Sequence, residues 1–181
     1  MRRRELEHLI RASAGITNEY EFVIVGSQSV LGEFPDAPDQ LLQSVEADIY
    51  PLHSPDKADL IDGSIGEGSP FHDNFGYYAQ GVGPETAVLP QGWQDRLVKV
   101  QSENTDLKIG WCLEPHDLAA SKLAAAREKD REFISALLRY GLVRTEEVEK
   151  RIQAMPVADT DKRRMSMMLS RIDREIGKSS G

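Results

Sequence analysis

Cysteine is nearly absent from this sequence. Cys112 stands alone, which excludes an internal disulfide and any zinc site built from several cysteines. It lies in the apolar stretch Ile109-Gly110-Trp111-Cys112-Leu113 and reads as a buried thiol rather than a nucleophile. The histidines lack metal-ligand spacing, with no i, i+4 pair on a helix. His72, inside an aromatic stretch, reads as a packed core histidine, with nucleobase or acceptor contact as the alternative. No apolar run approaches the length of a membrane span, and the Met1-Arg2-Arg3-Arg4 start has no apolar segment behind it. The expectation is a cytoplasmic protein with no membrane partner. Basic charge is also in short supply: 22 Lys and Arg against 30 Asp and Glu leave a net charge of -8. That balance excludes broad, non-specific binding to nucleic acid, though not a local basic groove. The basic clusters at Arg2 to Arg4 and Lys162-Arg163-Arg164 read as solvated helix faces.

What is present begins with Phe22-Val23-Ile24-Val25-Gly26-Ser27. The β-branched and aromatic run bounded by glycine has the pattern of a buried strand. Gly26, without a Cβ, permits a sharp turn and the close approach of a phosphate. Ser27 opens Ser27-Gln28-Ser29-Val30-Leu31, the start of a short helix whose free N–H groups attract phosphate oxygens. Further on, Glu46-Ala47-Asp48-Ile49 places two carboxylates at alternate positions. On a strand, Val45, Ala47 and Ile49 share one face, and Glu46 and Asp48 share the other, about 7 Å apart. Such a pair suits magnesium, which favours oxygen ligands and bridges to substrate phosphates. Alone, a Gly-Ser turn or an acidic alternation is unremarkable; their order and spacing point to a nucleotide triphosphate and its metal.

The 181 residues suffice for one good core, or for a small α/β domain with a helical annex. Residues 3–14 read as an amphipathic helix through Leu6, Leu9 and Ile10. Ile61 to Pro70 looks too glycine-rich for a helix interior and is expected as a long loop, ordered by the aromatic stretch Phe71 to Tyr78 behind it. Strands are expected at 86–89, 96–101 and 107–113. Pro115 opens a long helix through Asp117 to Arg139 that ends at Gly141. Thr145 is the expected N-cap of a second helix ending before Pro156. A third, over 160–176, carries the stripe Met165, Met168, Leu169, Ile172 and Ile176, expected in the core, and the tail Lys178 to Gly181 is expected to fray. Strands first and helices afterwards give an α+β fold: a small mixed sheet flanked by helices over 1–114, then a helical subdomain over 115–181.

Strand, Gly-Ser, short helix and acidic-pair strand together resemble the nucleotidyltransferase superfamily, the DNA polymerase β-like fold. The stretch Cys112-Leu113-Glu114-Pro115-His116-Asp117-Leu118-Ala119-Ala120-Ser121-Lys122-Leu123, with Ala126 to Asp130 behind it, is similar to the helix of AbiE-type toxin nucleotidyltransferases and related predicted nucleotidyltransferases. So is the connecting segment Ala87 to Leu97. The resemblance covers about residues 20–140. It implies magnesium-dependent transfer of a nucleoside monophosphate from a triphosphate, to RNA and often the tRNA 3′ end in the toxin members. It implies Gly26 and Ser27 on the triphosphate, Glu46 and Asp48 on metal, Lys122 reaching a phosphate, and Asp117 and Asp130 in support. An antitoxin protein is a further partner it implies, and self-association is a separate expectation.

Two departures qualify the resemblance. Glu46 stands where the superfamily more often has aspartate. The third carboxylate of the superfamily is open among Asp62, Glu67, Asp73 and Glu85, with Glu85 compatible by position. Asp117 also reads as a helix-start charge, and Lys122, Arg127, Lys129 and Asp130 as surface pairs at helical spacing. The alternative function is a catalytically degenerate nucleotidyltransferase-fold module that binds or regulates; the blandest is a structural domain with a solvated acidic pair.

Overall fold

Phe22, Val23 and Ile24 are wholly buried, and the strand they form, β1 (Glu21–Val25), is the middle of a five-stranded mixed sheet. The computed structural model describes residues 1–179. The other strands are β2 (Glu46–Pro51), β3 (Tyr78–Gly81), β4 (Val98–Val100) and β5 (Ile109–Cys112), in the order β3-β2-β1-β5-β4. β1 runs antiparallel to β2 and parallel to β5; β2 and β3 are parallel, and β4 and β5 antiparallel. With seven α-helices among the described residues, the fold is α+β, as expected.

The described chain divides into two compact units, one of Met1–Ala87 with Leu97–Glu114, the other of Val88–Arg96 with the chain from Pro115 onward. The first holds the whole sheet with α1 (Arg3–Thr17), α2 (Ala58–Ile65) and α3 (Pro70–Phe75). Leu6, Leu9, Ile10, Ser13, Ala14 and Thr17 form the buried stripe of α1, at the spacing that keeps one helix face against a sheet. A Cβ at Gly110 would meet the Ile10 and Ile24 side chains, so this glycine lets α1 close onto the strand. Phe22 and Ile24 pair with Gly110 and Cys112 across β5, and Ile24 with Ile49 across β2. The helix-covered face therefore takes the apolar positions, and Glu46 and Asp48 fall on the other. Cys112 is fully buried, and burial pushes its thiol pKa up to about 12, which keeps it an inert thiol.

The second unit gathers α4 (Pro115–Ala125), α5 (Glu128–Arg139), α6 (Thr145–Gln153) and α7 (Asp159–Ser179). Leu118, Leu123, Ile134, Leu137, Val148, Ile152, Met165, Leu169 and Ile172 form its core. Segment 88–96 belongs here, its Gln91 N–H donating to Ala154 O at 2.9 Å. No described helix is long and apolar enough to cross a membrane.

Several expectations give way. The glycine-rich stretch expected as a loop holds α2, because Ala58, Ile61 and Ile65 share a buried stripe. Gly63 sits where a Cβ would meet nothing, so it costs only its weak propensity, about 1 kcal/mol. No strand forms at 86–89; that run enters no ladder and meets Pro90. β3 forms instead, its plain sequence held by pairing with β2. The single long helix is two. Ala126 adopts a left-handed φ of 55°, its N–H closes on Lys122 O, and the chain restarts as α5. Thr145 is the first residue of α6, and Arg144 holds the cap position. α7 runs on to Ser179, beyond 176, so Lys178 and Ser179 are helical; Ser180 and Gly181 of the expected frayed tail lie outside the described residues.

Candidate functional site

The turn after β1 carries the first predicted residues. Gly26 has φ +70°, and a Cβ placed there would overlap the carboxylate of Asp48. β1 and β2 pair Val25 with Asp48, which brings the end of one strand against a carboxylate of the next. Only glycine meets both demands, the left-handed backbone and the absent side chain. Ser27 opens a 3₁₀ turn over Ser27–Leu31, clasped by the Ser29 hydroxyl donating to Gly26 O at 2.8 Å. Glu46 and Asp48 stand half-buried on one face of β2.

Two polar residues here carried no signal in the sequence. Tyr78 pairs with Glu46 across β3 and donates its hydroxyl to Glu46 Oε2 at 2.9 Å. Burial, the Glu46 hydrogen bond and the charges of Glu46, Glu67 and Asp48 push the Tyr78 phenol far above its ordinary pKa, so it remains a donor. Gln28 is 1% exposed, and neither its Nε2 nor its Oε1 has a hydrogen-bond partner within the protein. Nothing local distinguished either: Tyr78 lies in an aromatic run, and Gln28 reads as an ordinary helix residue.

The four candidates for a third carboxylate are all exposed. Asp62 lies in α2, Asp73 in α3, Glu67 in the turn between them, and Glu85 in the 3₁₀ turn Pro84–Thr86. The β3 residues in register with Glu46 and Asp48 are Tyr78 and Gln80. Among the described residues no group of three or more His, Cys, Asp or Glu side chains gathers to hold a metal ion. His72 is half-buried rather than in the core: its ring lies 4.6 Å from that of Tyr78, and its Nδ1 accepts the Gly68 N–H at 3.1 Å.

Lys122, Asp117 and Asp130 belong to the helical unit. Lys122, 6% exposed, donates to Asp130 Oδ1 at 3.0 Å, and its Nζ lies 4.5 Å from the centre of the Phe133 ring. Arg127 adds two bonds to Asp130, at 2.7 and 3.2 Å. Burial pulls the Lys122 pKa down, against the pull of Asp130. Burial pushes the Asp130 carboxyl up, but the hydrogen bonds from Arg127 and Lys122 outweigh it and hold it below the usual range. Asp117, wholly buried, is gripped by Arg96 at 2.8 and 3.0 Å and by Arg151 at 2.9 Å. Asp130 is a buried network member rather than the surface pair its spacing also allowed, and Asp117 is a first-turn charge of α4, as its alternative reading had it, but a buried one.

A Gly-Ser strand end meets an acidic-pair strand in this mixed sheet, and comparison with known families gives the class, nucleotidyltransferase. Residues 4–176 match the family model described as "Nucleotidyltransferase of unknown function (DUF6036)", and the chain belongs to that family. No significant match was found among curated proteins or solved structures.

Gly26→Ala is expected to cost at least about 2 kcal/mol in denaturant unfolding, combining left-handed strain with the Asp48 overlap. Gly68→Ala, at φ +72° with nothing within 4 Å, carries only the strain and is expected to cost about 1 kcal/mol. Replacing Gln28 with Leu is expected to stabilise the protein by about 1–3 kcal/mol, since it removes a buried amide that has no partner. Asp130→Ala strands a buried ammonium and is expected to cost about 3–5 kcal/mol. Lys122→Met leaves Asp130 its two Arg127 bonds and is expected to cost only about 1 kcal/mol. The Asp130 contribution is present above its ordinary pKa of 3.8 and is lost as pH falls through its lower folded value. Urea titrations should therefore show the wild-type advantage over Asp130→Ala narrowing below that pH.

Proposed function

We propose that this protein is a magnesium-dependent nucleotidyltransferase that transfers a nucleoside monophosphate from a triphosphate to an RNA, of tRNA type, or to a protein acceptor, and that it acts as the toxin of a two-gene or phage-defence pair. The observation that carries the reading is the meeting of Gly26 with Asp48. A strand end that has no side chain turns tightly against a carboxylate, Asp48, which is aligned on β2 with a second one, Glu46. Family membership supports the reaction class.

The donor set fits a divalent cation that arrives with phosphate. Glu46 and Asp48 offer hard oxygens on one face, and magnesium is usually bound through one or two carboxylates together with substrate phosphates and waters. When bound, the ion would neutralise charge on the triphosphate. The chain's own part is positional: the Gly26-Ser27 turn receives the triphosphate, and Glu46 and Asp48 orient it. The acceptor hydroxyl forms a bond to the α-phosphorus while the bond to pyrophosphate breaks, and the hydroxyl proton is released. In-line positioning supplies most of the rate in such transfers.

A second reading, a module that binds nucleotide without turnover, is favoured by one observation: Gln80, not a carboxylate, is in register with Asp48. The deciding assay supplies magnesium and each of the four α-labelled nucleoside triphosphates, with cellular RNA and protein as acceptors. Incorporated label that Asp48→Asn abolishes is the expected result, together with growth arrest on expression that the same substitution relieves. Binding without incorporation would establish the second reading and overturn the first.

A further inference from the structure

We propose that Tyr78 is a positioning residue for Glu46, holding it for the divalent cation that arrives with the triphosphate. The inference rests on the nucleotidyltransferase reading above. β2 and β3 are parallel with Glu46 opposite Tyr78 and Asp48 opposite Gln80, so these four side chains share one face. Tyr78 is 7% exposed, and its hydroxyl reaches Glu46 Oε2 at 2.9 Å. Its ring is backed by His72, which the Gly68 N–H holds through Nδ1. A packed ring offers its hydroxyl at one place, and that bond removes rotamer freedom from a long side chain that would otherwise pay for ordering when it met a ligand.

The same bond engages one of the two Glu46 oxygens. The neighbouring strand adds no carboxylate: the residues in register are Tyr78, a phenol, and Gln80, an exposed amide. Two carboxylates therefore face this site, and among the described residues no third His, Cys, Asp or Glu side chain gathers with them. A hard cation that prefers six oxygens finds too few here and takes the remainder from phosphate and water. Ordering the carboxylates is thus the protein's share, and completing the coordination shell is the nucleotide's.

Electron paramagnetic resonance titration with Mn²⁺, alone and with non-hydrolysable analogues of each of the four nucleoside triphosphates, tests this. Wild type is expected to hold Mn²⁺ with analogue at least about tenfold more tightly than Mn²⁺ alone, and Tyr78→Phe to weaken the ternary complex by about tenfold, as losses of orienting partners do. Thermal unfolding of Tyr78→Phe should remain cooperative, which separates positioning from loss of fold. Gln80→Glu, on an exposed position, should strengthen binding of Mn²⁺ alone by supplying the missing anion. A Tyr78→Phe protein that binds the ternary ligands like wild type, or a wild type that holds Mn²⁺ equally well without analogue, overturns the inference while leaving the nucleotidyltransferase reading intact. A wild type that binds none of the four analogues overturns both.

Discussion

The contact between Gly26 and the carboxylate of Asp48 is the constraint on which the end of the β1–β2 pair depends. Val25 lies opposite Asp48 in the antiparallel pair, so the chain leaving β1 must turn directly over that carboxylate. A residue with a side chain cannot follow this path, because the Cβ would occupy the volume of Asp48 Oδ2 and the backbone lies at positive φ. The missing side chain at Gly26 is what lets the Asp48 carboxylate occupy that space.

In the helical unit, cohesion depends on charges as well as apolar packing. Asp117 and Asp130 are both wholly buried, yet each is met by two basic residues, Arg96 and Arg151 for one, Lys122 and Arg127 for the other. Burying an anion is tolerable only when its oxygens are paired and hydrogen-bonded. Arg96 reaches Asp117 from segment 88–96, which explains why a stretch between two sheet strands belongs to the helices. The break at Ala126 has a similar logic: the left-handed residue ends α4 and brings Arg127 round to Asp130, which also holds Lys122. A continuous helix would have carried the same apolar stripe, and for that reason the periodicity hid the break.

On the sheet, the acidic pair is complemented by neutral polar groups. Tyr78 restrains Glu46, and Gln80 stands beside Asp48, so electrostatic repulsion across β2 and β3 stays low in the absence of ligand. The family assignment gives the reaction class, and on this face two carboxylates and a phenol lie together.

Much was legible in the sequence because it is local. Alternation put Glu46 and Asp48 on one face before any partner strand was known, and a lone glycine after a β-branched run marked the turn. Leu6, Leu9 and Ile10, or Met165, Leu169 and Ile172, announced their buried stripes by spacing alone, since helix geometry depends on near neighbours. Tertiary structure decided the rest. The pairing of β3 with β2 carried Tyr78 to Glu46 across 32 positions of chain, and folding brought Arg96 and Arg151 to Asp117. It also ordered α2 through a glycine whose missing side chain would have touched nothing. Such contacts join residues far apart in sequence, and no local period records them, because their energy exists only once the chain has closed on itself.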